Sequence, residues 1–224
     1  MIVSIGILVA CFLNSCISQI LKNIRNENTG SENISTKIVF RKLLVQLGNG
    51  AIYGAVYHYF DFNITSIAYA LLGSILLMIG MIDYYTMRIP NSLIIVGGIV
   101  GSLYLIALSI YHANIQVVLN GILGMFVGIM VIGGIILLSL IIFRKEGMGV
   151  GDLKLLGMIG LFIGSRYILY TILIAVIIGG CYGAMVLFIK KEKIIPFAPF
   201  LSLGAMISVL WGDTLWGHYI NYIL

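Results

Sequence analysis

The sequence predicts an all-α, polytopic membrane protein of about eight transmembrane helices. Of its 224 residues, 61% are hydrophobic and only 9% charged, which leaves too little polar surface to cover a water-soluble domain of that size. The apolar stretches are continuous over roughly the 20 residues that a bilayer-crossing helix needs, where a membrane barrel would alternate. The 13 basic residues fall almost entirely between alternate stretches, as in loops that stay on one side of a membrane.

The first run, Ile2 to Leu21, has neither a basic flank nor a small-residue cleavage site and is expected to be a retained span. Residues 22–42 follow, rich in Asn, Ser and Thr and carrying Lys22, Arg25, Lys37, Arg41 and Lys42; their composition predicts a flexible loop. A weaker second helix is expected from about Leu43 to Phe60, interrupted by Gly48, Gly50 and Gly54. The turn Asp61-Phe62-Asn63 leads into a clear third span, Ile64 to Ile82. After Asp83 to Asn91, where Pro90 fits the approach to a helix and Asn91 or Ser92 its cap, spans four and five run over about Leu93–Tyr111 and Ile122–Phe143.

Leu153 to Gly164 is apolar but short for a crossing, so tilt or extension through Tyr167 is expected. Span seven covers Ile168 to Ile189, and Pro196 to Phe200 opens span eight, which fades near Trp211 into a tail whose Trp211, Trp216 and Tyr219 read as interfacial anchors. The chain divides into a two-helix region, 1–63, with a reduced loop at 22–42, and a six-helix region, 64–224.

With the amino terminus outside, the loops at 22–42, 83–92, 144–152 and 190–196 face the cytoplasm, and 12 of the 13 basic residues lie on or next to them, Arg166 alone falling on the far side. The net charge of +5 therefore reports orientation in a cytoplasmic membrane and not a nucleic-acid partner. Cys11, Cys16 and Cys181 all lie in apolar runs without a Cys-x-x-Cys pair, and no ligand spacing links His58, His112 and His218, so no metal site is predicted.

The same topology brings Asp83 and Asp152 to one membrane edge. A carboxylate near hydrocarbon is costly, by about 2.5–3.5 kcal/mol at a helix centre, and reads first as functional. Asp152 alone would also make a good helix cap, and Asp83 alone a partner for Arg88. Two carboxyls within reach of each other cannot both ionise cheaply; one then activates water while the other polarises a carbonyl, as in aspartic proteases. Gly147, Gly149 and Gly151 leave the backbone before Asp152 nearly bare, open to a substrate chain or to positive φ.

Ile82-Asp83 with Thr86-Met87-Arg88-Ile89-Pro90-Asn91, Gly149-Val150-Gly151-Asp152-Leu153-Lys154, and Pro196-Phe197-Ala198-Pro199-Phe200-Leu201-Ser202-Leu203-Gly204-Ala205 resemble, in order and spacing, the motifs of type IV prepilin peptidases. The resemblance implies an intramembrane aspartyl endopeptidase that removes the leader of prepilin-like proteins at the cytoplasmic face, for pilus, secretion or competence assembly. It implies Asp83 and Asp152 as the catalytic pair, Gly149 and Gly151 as the loop around the second, Lys154 as a supporting residue, and no cofactor for proteolysis. Ala10-Cys11-Phe12-Leu13-Asn14 resembles the start of the longer bacterial members. Gln46 stands where those members usually have glutamate, and residues 22–42 lack the cysteine pairs of their zinc loop. S-adenosylmethionine is implied only if methylation of the product is retained.

The alternative from another class is an ion-coupled transporter using Asp83 and Asp152 as a proton or cation site, which glycine-interrupted spans fit. Against it, both acids lie at a membrane edge and no inverted repeat is present. A non-enzymatic scaffold, with both acids as caps or ion pairs, and a presenilin-like peptidase are the other readings. Ile89-Pro90-Asn91 downstream of Asp83 favours the prepilin type over the latter.

Overall fold

The computed structural model describes residues 34–143, 149–190 and 195–223, together with Gly6, Val9, Cys11 and Ser15. Among the described residues from Ile34 onward, six helices follow one another: α1 (Ile34–Phe60), α2 (Ile64–Thr86), α3 (Asn91–His112), α4 (Gln116–Phe143), α5 (Val150–Lys190) and α6 (Ala198–Ile223). No strand occurs among the described residues. Four of the helices, α2, α3, α4 and α5, are long and apolar enough to cross a membrane. Outward-facing Ile110, Met130 and Ile141 are 75%, 73% and 76% exposed, a surface suited to lipid tails and not to water.

Local chemistry sets the helix ends. Asp61 takes a left-handed conformation as α1 ends, and Asn63 then caps α2 through a reciprocal box with Ser66. Met87 and Ala113 close α2 and α3 in the left-handed region. Pro90, with φ −67°, precedes α3 as its N-cap residue; the cap expected from Asn91 is not formed, because Asn91 is already helical and its side chain is engaged elsewhere.

The core is centred on α2 and the first part of α5, where Leu72, Leu76, Ile79, Leu155, Leu156 and Ile159 are fully or almost fully buried. Against that part of α5, α4 presents a seam of Gly121, Gly124 and Gly128. A Cβ on Gly121 would stand 3.0 Å from Leu161 O, one on Gly128 would stand 3.0 Å from Leu156 O, and Gly124 has no room for one against Gly160. Without a hydrophobic force between helices in lipid, such backbone-to-backbone approach is how they gain attraction.

The 41 residues of α5 are not one straight rod, because Gly164 breaks them at φ 74°, ψ 178°. Val150 lies at the Asp83 end, while Tyr167 hydrogen-bonds Asp213 near the other end of α6, and Gly179 returns to Phe197 and Phe200. The chain therefore doubles back at Gly164, with Asn120 Oδ1 accepting from the N–H and hydroxyl of Ser165 at 3.3 and 2.7 Å. The expected short sixth segment thus ends at Gly164, within an element that is helical on both sides of the break.

Three sequence expectations need correction. Residues 34–42 are helical instead of loop, so α1 begins nine residues before the expected Leu43; an apolar-poor start is carried by the helix it extends. The fifth span begins at Gln116 instead of Ile122, after a tight connection at residues 113–115. The last helix does not fade near Trp211 but continues to Ile223. Residues 22–33, Gly147 and all of the first expected span but Gly6, Val9, Cys11 and Ser15 lie outside the described residues; those four are helical. The side chains of Trp216 and Tyr219 are likewise outside them.

Candidate active site

Asp83 sits in the last turn of α2, on the face that Leu76 and Ile79 bury, and only 6% of it is exposed. Its own carbonyl accepts the Met87 N–H at 2.7 Å, which ends the helix just beyond it. Its carboxylate does not turn to Arg88. Oδ2 instead accepts the buried backbone N–H of Ala198, at 3.2 Å, from the first residue of α6. That N–H has no partner inside its own helix, as is general for a first turn. An acid at the carboxyl end of one helix is thereby matched to the amino end of another.

Asp152 is the third residue of α5 and is 8% exposed. It is not the cap that its Gly-Asp setting also allowed: it lies inside the first turn, its own N–H donating to Gly149 O at 3.0 Å. Gly149 passes beside the carboxylate, where a Cβ would stand in ordinary contact, 3.5 Å from Oδ2. The two carboxylates, on helices separated in sequence by α3 and α4, are near enough for the charge of Asp83 to act on Asp152.

Two further contacts hold α5 against the strap between α2 and α3. Gly151 faces Ile89, with a Cβ placed there 3.3 Å from the isoleucine Cβ. Lys154 Nζ donates to Asn91 Oδ1 at 3.0 Å. The five residues singled out in the sequence, Asp83, Gly149, Gly151, Asp152 and Lys154, thus gather at one end of the bundle. Lys154 does so by gripping α3, not by touching either acid.

The sequence marked Ala198 and Ser202 only as members of the third motif, with no role at the acids, and did not point to Asn91 as the partner of Lys154. Ser202 Oγ lies 2.8 Å from Ala198 O and 3.1 Å from Leu76 O, joining the first turn of α6 to α2. Pro196 and Pro199, which flank Ala198, were the available signal. Elsewhere, Gln46 Nε2 donates to Cys11 Sγ at 3.2 Å, far along the chain from the two acids. Among the described residues, no group of three or more His, Cys, Asp or Glu could hold a metal ion.

Chemically, the arrangement offers two nearly buried carboxyls at one end of the bundle, the charge of Asp83 acting on Asp152, with a bare glycine backbone beside one and a helix amino end against the other. The chain matches the type IV leader peptidase family over residues 70–184, just over half of its length. It is 31% identical over 186 residues to the prepilin leader peptidase/N-methyltransferase of Stutzerimonas stutzeri, covering 80% of this chain and 61% of that protein. Against the protein of the same name from Pseudomonas aeruginosa it is 30% identical over 183 residues, with the same 80% and 61% coverage. With the Bacillus subtilis protein it shares 25% over 154 residues, 67% of this chain and 58% of the relative. The chain thus spans about three fifths of the length of these relatives. No solved structure matches it. Both acids and the glycines around Asp152 fall inside the matched segment, and the chain belongs to the type IV leader peptidase family.

Proposed function

We propose that this membrane protein is an aspartyl endopeptidase that removes the leader peptide of prepilin-like proteins at the cytoplasmic face of a bacterial cell membrane, through Asp83 and Asp152. The observation that carries the reading is that two nearly buried acids, 69 positions apart in sequence, lie at one end of the bundle, where the charge of Asp83 acts on Asp152. One carboxyl, ionised, takes a proton from water as the water oxygen bonds to the carbonyl carbon of the scissile peptide. The other, protonated, gives its proton to the carbonyl oxygen. As the tetrahedral intermediate collapses, the second carboxylate takes back a proton from one of its two hydroxyls, the C–N bond breaks, and the first carboxyl gives its proton to the departing amine. Burial strengthens each electrostatic contact in this exchange, and the bare backbone at Gly149 leaves room for an extended substrate.

The proposed topology has eight spans: two contributed by 1–63, then α2, α3, α4, the two arms of α5, and α6. The arm from Val150 to Gly164 is about 21 Å long at about 1.5 Å per residue, short of a bilayer core of about 30 Å, so the membrane thins around Asp152. The charge pattern of the loops supports a cytoplasmic active site. We further propose cutting without methylation, on the ground that residues 22–42 carry no cysteine and Gln46 replaces the usual glutamate, its amide held by Cys11. S-adenosylmethionine is then not a substrate. The transporter reading is not favoured: both acids lie within a turn of helix ends, away from mid-membrane.

The deciding experiment is cleavage of a prepilin from the same genome in solubilised membranes, comparing wild type with Asp83→Asn and Asp152→Asn. Both variants are expected to insert normally and to lose cleavage by at least about a thousand-fold, with an unmethylated product amino terminus from the wild type by mass spectrometry. Wild-type cutting by either variant would overturn the dyad.

A further inference from the structure

We infer that the first turn of α6 is a positioning element for Asp83: the Ala198 N–H fixes carboxylate Oδ2, which leaves Oδ1 as the oxygen that works on water. This inference rests on the dyad proposed above and goes beyond it, because it assigns the two oxygens of one acid to different tasks.

Three observations converge on it. The Ala198 N–H is buried, belongs to a residue with no exposed surface, and donates to Oδ2 at 3.2 Å. Among the described residues Oδ1 has no hydrogen-bond partner, yet it is not among their buried polar atoms left without one, so it keeps access to the space beside it. The donor is itself held in place. Ser202 Oγ spans Ala198 O and Leu76 O, and Gly80 lets the first turn close in, since a Cβ there would meet Pro199 Cα at 3.4 Å. Leu76, Gly80 and Asp83 share one face of α2 at helical spacing, so the face that carries the acid also clamps its donor.

A carboxylate on a single Cα–Cβ–Cγ hinge otherwise rotates freely about its last bond, and a small misplacement of a reacting oxygen costs a large factor in rate. Fixing one oxygen removes that freedom without occupying the other. Such a role predicts lost turnover with retained substrate binding, whereas a merely structural contact predicts less folded enzyme with normal turnover per folded molecule.

The test removes the donor and nothing else that a helix needs. Ala198→Pro deletes the N–H at the first helical position, where proline is well tolerated, and Ala198→Gly keeps it. The full chain in nanodiscs, with a prepilin from the same genome as substrate, is expected to show kcat lowered roughly ten- to hundred-fold in Ala198→Pro, the range of one hydrogen bond to a charged group, with KM within about two-fold. Ala198→Gly should stay within about three-fold of wild type. Ser202→Ala, which loosens the clamp without touching the donor, should also lower kcat at constant KM, and it decides the matter should Ala198→Pro not accumulate. Wild-type kcat in the folded variants, or a rise in KM alone, overturns the positioning role. Asp83→Asn in the same assay separates the two ideas: if it still cuts, the dyad itself has failed; if it is dead while Ala198→Pro and Ser202→Ala cut normally, only the positioning role has.

Discussion

Lys154 grips Asn91 across 3.0 Å and so joins the first turn of α5 to the first turn of α3, beside the acids and not between them. The contact is exposed, so a single deletion costs modest stability, about 0.5–1 kcal/mol, while freeing the strap that carries Ile89 against Gly151. Lys154→Met and Asn91→Ala should each slow cleavage several-fold, and the double variant no further than either alone. A double-mutant cycle on kcat/KM gives the coupling, expected at about 0.5–1.5 kcal/mol; additive losses would place Lys154 in some other role.

Gly124 and Gly134 lie on the same helix and should respond in opposite ways to alanine. A methyl on Gly124 would run into the backbone of Gly160, which cannot move aside without parting α4 from α5. A methyl on Gly134 meets nothing within 4 Å. Gly124→Ala is expected to lose about 2–4 kcal/mol of stability, and Gly134→Ala to be neutral or stabilising by up to about 1 kcal/mol. Unfolding in mixed detergent micelles by titrated SDS reads both.

The features legible in the sequence are those that each residue carries by itself. Continuous apolar runs announce the helices, and their order along the chain brings Asp83 and Asp152 to one end of the bundle before any contact is known. Gly164 also left a trace, as the end of a run too short to cross. The onset of α1 at Ile34 left none, because Ser35 and Thr36 weaken helix propensity and Lys37, Arg41 and Lys42 mimic a solvated loop. The partner of Asp83 was hidden for a deeper reason. It is a backbone N–H, common to every residue but proline, and it arrives from 115 positions away. Lys154 was marked by its motif, but the oxygen it seeks, on Asn91, had an equally good local use as a helix cap.

The turn at Gly164 admits no other residue without strain. Its φ of 74° with ψ of 178° is a region open essentially to glycine, and a Cβ would also press on Asn120 Nδ2 at 2.6 Å. Gly164→Ala should cost about 2–4 kcal/mol and lower the yield of inserted protein. Asn120→Ala should cost less, about 1 kcal/mol, since it removes only the acceptor that caps Ser165. Thermal unfolding in detergent ranks them; a Gly164→Ala protein as stable as wild type would mean that the chain does not double back there.

Asn49 makes a sharper case, because two replacements of similar size should diverge. It is fully buried, its Nδ2 donating to Gly6 O at 2.9 Å and its Oδ1 accepting from Ser74 Oγ at 2.8 Å. Asn49→Leu removes both contacts but orphans little. Ser74 can fall back on Ala70 O, 3.0 Å away, and Gly6 O remains a helix carbonyl. The expected loss is about 1 kcal/mol, near the average for a hydrogen bond between helices in lipid. Asn49→Asp instead sets a carboxylate oxygen against the Gly6 carbonyl, acceptor facing acceptor, in a place that water does not reach. That variant should lose at least about 3 kcal/mol, and its amino-terminal segment should become the first part of the chain cut by added protease. Since Asn49 touches none of the residues around Asp83 and Asp152, the turnover of whatever folded Asn49→Leu protein remains should match wild type. A variant order reversed in stability, or a fall in turnover for the leucine form, would show that this buried contact serves the acids and not the anchoring of the segment that holds Gly6.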